Sequence, residues 1–156
     1  AKSKSYSVAL KDRSSILMGG KDANRAFWFD AESIRMVSSD YYNERFPDWA
    51  LSFSGDSTER ESLATGWIYN TPYDVTKLDG DSASYECGKF LPWFPHTLAI
   101  LDTLYVSHDR VGIFLWNTHF GDHYVLEFAK QLIAKEELGQ VEQCDGLTIG
   151  LSTAVS

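Results

Sequence analysis

The sequence predicts an α/β fold, part of a parallel sheet interrupted by an irregular, aromatic-rich inserted cap. Three observations carry this. A short apolar stretch near the amino end, "YSVAL", stops abruptly at a lysine. Near the carboxyl end, an amphipathic run and a loop lead into "GLTIGLS", half of a parallel α/β unit. Between them lies a long span rich in Gly, Pro and aromatic residues.

Tyr6 to Leu10 is short, apolar and β-compatible, and reads as a buried strand ending at Lys11. "AFWFD", Ala26 to Asp30, and "IRMVSS", Ile34 to Ser39, read as two strands of a hairpin joined through "AES". Pro47 suits a first helical turn and Asp48 the positive end of its dipole, which places a short helix over Pro47 to Phe53. From Gly55 to Pro95 the signals are those of loops. They carry Trp67, Tyr69, Tyr73, Tyr85, Phe90, Trp93 and Phe94, a composition that suits an irregular subdomain packed on something larger. In "HYVLEFAKQLIAKEELG", residues Val125, Phe128, Ala129, Leu132, Ile133 and Leu138 share one helical stripe, with Asp122 as N-cap and Gly139 just past the end. Leu147, Ile149 and Leu151 then form a strand. Only two sheet strands are visible, one near each end of the chain, and a parallel sheet needs more. The expected organisation is one incomplete domain: 1–30 a sheet strand and the basic segment after it, 31–115 the inserted cap, 116–156 the helix and returning strand.

The 156 residues are 44% hydrophobic and carry a net charge of −8. That charge argues against a nucleic-acid backbone binder, which needs a basic face. It leaves room for a small anionic ligand, because a local pair of cations is shielded from distant acidic groups beyond about 8–10 Å. No apolar run reaches the length of a membrane span, and "AKSKSYS" lacks the apolar core of a signal peptide. Cys87 and Cys144 form no CxxC pair, so they are either a disulfide or two unrelated buried thiols.

Lys11 and Arg13 are the cations of interest. In an extended segment, residues two apart point the same way. Two cations at the carboxyl end of a strand can clamp an oxyanion, Arg as a bidentate fork and Lys as a point charge. The competing reading is a solvated basic turn. "MGGK" is no P-loop, since the earlier Gly and a following Ser or Thr are missing. His119 and His123 have chelating spacing if helical, but Gly121 between them suggests a helix starting later and a capping turn instead. His96 and His108 stand singly. Asp79 and Asp81 resemble half a calcium loop without its remaining ligands and read as a turn. Ser152, Thr153 and Ser156 sit outside any GxSxG elbow.

Four blocks in order, "LKDRSSILMGGKDANRAFWFD", "SSDYYNERFPDW", "FGDHYVLEFAKQLIAKEELG" and "DGLTIGLST", resemble a branch of the alkaline phosphatase superfamily. That branch comprises single-chain bacterial phosphatases related in fold to nucleotide pyrophosphatase/phosphodiesterases. "YECGKFLPWFPHTL" matches more loosely. The resemblance implies a zinc-dependent phosphate-monoester hydrolase. Two zinc ions, held by Asp and His, would flank the in-line attack of a Thr or Ser alkoxide. The Lys and Arg of a "KDR" segment, here Lys11 and Arg13, would bind the remaining phosphoryl oxygens, a pair that diester-cleaving relatives tend to lack.

The family's first metal-binding Asp and its nucleophile lie upstream of this segment, and its next ligands follow the strand matching "DGLTIGLST". No residue here matches a zinc ligand or a nucleophile. The expectation is therefore an internal segment, inactive alone, of a periplasmic or secreted enzyme. Its partners would be a phosphate monoester or free phosphate and the remainder of the parent. The alternatives are a stand-alone, non-catalytic anion-binding or interaction module, or a piece of a phosphodiesterase or sulfatase of the same superfamily.

Overall fold

A computed structural model describes residues 2–42, 45–54, 65–68, 95–97, 110–140 and 142–152. Four strands form a single sheet in the order β3-β2-β1-β4: β1 Ser5–Ala9, β2 Arg25–Asp30, β3 Arg35–Val37 and β4 Gly146–Gly150. β1 runs parallel to both neighbours, with Val8 opposite Phe27 on one side and Ile149 on the other. β2 and β3 form the expected antiparallel hairpin. Its turn is tied by the Asp30 carboxylate, which accepts the Ser33 N–H at 2.9 Å. The sequence pattern shows this hairpin as separate from the two sheet strands; here β2 joins them directly.

The helices are α1 Asp12–Gly19, α2 Asp48–Leu51, α3 Arg110–Asn117 and α4 His119–Lys135, with a 3-10 turn at Asp40–Tyr42. α2 is shorter than the Pro47–Phe53 expectation. Pro47 is its extended N-cap, with φ −65° and ψ 134°, and lies outside the first turn. α4 begins earlier than its apolar stripe suggests. Its N-cap is Thr118, and Asp122 lies inside the first turn.

Period-two alternation sorts the strand side chains onto two unlike faces. Tyr6, Val8, Leu10, Phe27 and Phe29 join the buried cluster with Val125, Phe128 and Leu132 of α4. Rings fill that layer: Phe128 lies 5.0 Å from Phe27 and 5.1 Å from Phe53, and Tyr124 lies 5.4 Å from Phe29. Edge-to-face pairs of this kind add about 0.5–1.5 kcal/mol each beyond their area. Ile133, expected on the stripe, is exposed, whereas Leu138 packs partly against the core. On the opposite face the strands present Ser7, Ala9 and Ala26, and α1 lies close against them. α3 meets the hairpin through Gly112, whose position leaves 1.9 Å between an added Cβ and the Ala31 carbonyl oxygen.

Across 55–97, which holds the loop span expected from Gly55 to Pro95, only 65–68 and 95–97 are described. Trp67 and His96 form an isolated antiparallel bridge there. Tyr69, Tyr73, Tyr85, Phe90, Trp93 and Phe94 lie outside the described residues, as do Cys87, Asp79, Asp81, His108, Thr153 and Ser156. Cys144, expected to be buried, is exposed.

Candidate functional site

β1 delivers the basic segment to the end of the sheet where parallel strands finish. The chain does not stay extended there. Lys11 keeps extended angles, φ −100° and ψ 136°, as the N-cap of α1, and Asp12 opens the helix. Lys11 and Arg13 therefore do not share one side of a strand. They flank the amino terminus of a helix, Lys11 half-buried and Arg13 exposed. The first intrahelical bond is Ser15 N–H to the Lys11 carbonyl at 3.1 Å, and among the described residues no side chain caps this end. The amides of Asp12, Arg13 and Ser14 thus point outward without helical acceptors, at the positive end of the dipole. Neither cation has a salt bridge or side-chain hydrogen bond among the described residues. Arg25 contrasts with them: it is buried, with its guanidinium 5.9 Å from the Phe27 ring centre and 5.7 Å from that of Phe46.

Small residues place α1 where it is. Ser7 Oγ donates to the Ser15 carbonyl at 2.7 Å, and Ser15 Oγ donates back to the Ser7 carbonyl at 3.2 Å. Both serines are fully buried. Gly19 lets the helix approach Ser7, leaving only 3.0 Å between an added Cβ and the Ser7 Cβ. A Cβ at Gly150 of β4 would lie 3.0 Å from the Ala9 Cβ and 3.6 Å from that of Ser14. "MGG" is therefore the end of a helix, with Gly20 at φ 69° as its C-cap, not a turn beside the cations. Lys21 lies beyond it, at the far end of α1, where its carbonyl accepts the Tyr41 hydroxyl at 3.3 Å.

β4 ends beside β1. Leu10 N–H reaches the Gly150 carbonyl at 3.4 Å, and the Ser152 amide donates to Asp122 Oδ1 of α4 at 2.9 Å. Nothing in the sequence links Asp122 to Ser152, because the contact spans two elements.

His119 and His123 both lie within α4, so Gly121 does not delay the helix and the expected capping turn is absent. The Trp67 ring lies 5.7 Å from His119. Partial burial, then the neighbouring His123, hold the His119 imidazole below its ordinary range, while Asp122 acts in the opposite direction. His123 Nε2 lies 3.9 Å from Glu127 Oε1. Among the described residues, no group of three His, Cys, Asp or Glu stands close enough to hold a metal ion. His96 is buried against Trp67, at 5.4 Å between ring centres. No described helix is long and apolar enough to cross a membrane.

No family model matches the chain. Curated relatives do. Alkaline phosphatase PhoV of Synechococcus elongatus is 32% identical over 97% of this chain and 27% of its own length. Alkaline phosphatase PafA of Elizabethkingia meningoseptica is 30% identical over 97% of this chain and 28% of its own length. A Myroides odoratus protein named calcium-transporting ATPase is 31% identical, with 97% and 28% covered. The chain thus spans little more than a quarter of these relatives.

Among solved structures, wild-type PafA superposes with a TM-score of 0.77 at 28% identity, covering 97% of this chain and 29% of that one. A PafA variant superposes at 0.80 and 27% identity with the same coverage. Its four substitutions include a Lys and an Arg, two positions apart, each changed to Ala.

Proposed function

We propose that this chain, a homologue of the alkaline phosphatases with their fold across the matched quarter, is the segment of a phosphate-monoester hydrolase that binds the phosphoryl group through Lys11 and Arg13. The observation that carries this reading is the placement of both cations around the uncapped amino terminus of α1, at the carboxyl end of β1. Two positive side chains and outward-facing amides suit a dianion. A monoester carries more charge on its non-bridging oxygens than a diester, so the pair favours monoesters. Arg13 suits a bidentate grip and Lys11 a point charge. The Lys and Arg substituted in the PafA variant have the same spacing, which supports the assignment.

The chain's own role is to bind and orient the phosphoryl group. The two zinc ions implied by the resemblance would take their ligands outside the described residues. The cap over the cleft would come from the aromatic-rich insertion, and the parent would work in the periplasm or outside the cell. Exposed apolar side chains support membership of a larger body over a stand-alone anion-binding module: Leu17 on α1 is 81% exposed, and Ile149 on β4 and Leu151 just past its end are open as well.

The test is Arg13→Ala and Lys11→Ala, made separately in the full-length protein. Each should lower kcat/KM on an aryl phosphate monoester by about 10²–10³-fold, the effect of losing one oxyanion donor, and lower diester hydrolysis far less. Equal losses on both substrates would point to a diesterase, and unchanged monoester turnover would remove the clamp. Saturable phosphate binding by the isolated chain, as a monodisperse and cooperatively folded species, would favour the module instead.

A further inference from the structure

The end of the sheet opposite Lys11 and Arg13 carries a second concave surface. A cavity of about 620 Å³ opens at the amino ends of β1 and β2, beyond the carboxyl terminus of α1. Lys2, Ser5, Lys21, Asp22, Tyr41 and Tyr42 are among its lining. Its size falls in the range of about 300–1,000 Å³ typical of organic-ligand sites, so a bare inorganic ion would leave most of it empty. From Ser5 to Lys11 the extended chain spans about 20 Å, well over a Debye length, so the two basic regions act separately.

The charges around this cavity favour an anion. Lys2 and Lys21 are exposed and make no salt bridge among the described residues, while Asp22 is the one carboxylate in the lining. Part of the floor is already committed. The Ser5 N–H donates to Asn24 Oδ1 and the Asn24 N–H to the Ser5 carbonyl, both at 2.7 Å. Recognition therefore falls to side chains.

Tyr42 is the informative one. It is only 7% exposed and lines the cavity, yet its hydroxyl makes no hydrogen bond among the described residues. A buried hydroxyl normally finds a partner. Its neighbour Tyr41 differs, since that hydroxyl donates to the Lys21 carbonyl at 3.3 Å. Burial, then Tyr41, hold the Tyr42 phenol above its ordinary range, with the Arg25 guanidinium acting in the opposite direction. The phenol thus stays protonated at neutral pH and is able to donate. The two tyrosine rings meet edge to face, 5.3 Å apart at 89°, and give the cavity an aromatic wall.

We propose that this cavity binds a small organic oxyanion bearing an aryl group, with the anion on Lys2, Lys21 and the Tyr42 hydroxyl and the ring against Tyr41. Hydrogen bonds to an ionised oxygen are about twice as strong as neutral ones, and an aryl group gains from an offset or edge-to-face ring contact. The site stands apart from the phosphoryl-binding reading of Lys11 and Arg13 and does not depend on it.

The test is calorimetric titration of the full-length protein with hydrocinnamate. Saturable binding with a Kd of about 1 mM or tighter is expected. Hydrocinnamyl alcohol, which lacks the charge, and propionate, which lacks the ring, should each bind at least about tenfold more weakly. Lys2→Ala and Lys21→Ala should each weaken hydrocinnamate by about five- to tenfold, and Lys21→Arg should stay within about threefold. Tyr42→Phe keeps the buried ring and should weaken binding by about tenfold. Lys11→Ala and Arg13→Ala should leave it unchanged.

Absence of saturable binding overturns the proposal, and so does equal affinity for the alcohol. Loss of binding in Lys11→Ala or Arg13→Ala would put the probe on the other basic pair and overturn it as well. Should an alanine variant fail to fold, Tyr42→Phe decides, because it removes one oxygen and nothing else; unchanged affinity there refutes the site.

Discussion

Removing the hydroxyls of Ser7 and Ser15 tests how α1, and with it Lys11 and Arg13, is held on the sheet. Ser7→Ala deletes the 2.7 Å bond to the Ser15 carbonyl but leaves Ser15 Oγ its bond to the Ser7 carbonyl. Ser15→Ala deletes the longer 3.2 Å bond and leaves the shorter one. The hydroxyls share only a weak 3.3 Å contact with each other. A buried neutral hydrogen bond contributes about 0.5–1.5 kcal/mol net, so Ser7→Ala should cost about 1–1.5 kcal/mol and Ser15→Ala about 0.5–1 kcal/mol. With so little shared, the double variant should cost close to the sum, about 2 kcal/mol, with coupling under about 0.5 kcal/mol. Amide hydrogen exchange across α1 in the full-length protein reads this local opening directly. Each kcal/mol appears as about fivefold faster exchange, so the double variant should exchange about thirtyfold faster. Unchanged exchange in both single variants would show that close packing at Gly19 and Gly150 holds α1 unaided. Coupling above about 1 kcal/mol would show that the two hydroxyls act as one network, refuting the additive reasoning.

Three further outcomes follow from the geometry. Gly112→Ala gains about 0.5–1 kcal/mol of helix propensity but drives its Cβ into the Ala31 backbone at 1.9 Å, which does not yield as a side-chain end would; a net loss of about 2–3 kcal/mol is expected from thermal unfolding. The Glu136 carboxylate accepts from the Tyr6 hydroxyl and the Trp49 indole, both at 2.8 Å, so Glu136→Ala should cost about 2–4 kcal/mol in denaturant unfolding. Glu136→Gln should cost under about 1 kcal/mol, because the Tyr6 hydroxyl can turn round and accept from the new amide. Asp145 accepts the Lys4 amide at 2.7 Å and the Gly139 amide at 2.9 Å, and these bonds hold its carboxyl below the ordinary value of 3.8. Its tie between the starts of β1 and β4 is therefore complete above the unfolded-state value and is lost as pH falls through the lower folded one. Exchange of the Lys4 and Gly139 amides, corrected for intrinsic pH dependence, should rise only in that acid window, and Asp145→Asn should abolish the step.

Much of the scaffold is legible along the chain, because the residues facing the aromatic layer announce themselves. Tyr6 and Val8, Phe27 and Phe29, and the Val125–Phe128–Leu132 stripe follow the periods of the elements they form. α1 is hidden for the opposite reason. Its inward side is built from Ser15 and Gly19, while Ile16, Leu17 and Met18 face outward, so its polarity is the reverse of an ordinary surface helix. Read locally, "DRSSILMGG" shows no stripe, and the basic pair reads as the end of a strand. The early start of α4 was obscured by Gly121, which is buried and tolerated because the following turns pack so well.

By itself, the sequence determined the α/β class, the main strands, the long helix and the two cations worth testing. It also carried the likeness to alkaline phosphatases, since ordered blocks of residues persist in relatives that share a fold. Tertiary structure alone decided that β2 lies beside β1, that Lys11 and Arg13 flank a helix terminus, and that Asp122 holds the end of β4. The physical reason is that periodicity records which side of an element is buried against large apolar groups. It does not record contacts between small residues, or a hydrogen bond from one helix to the end of a distant strand. Those arise only when the sheet brings the elements together.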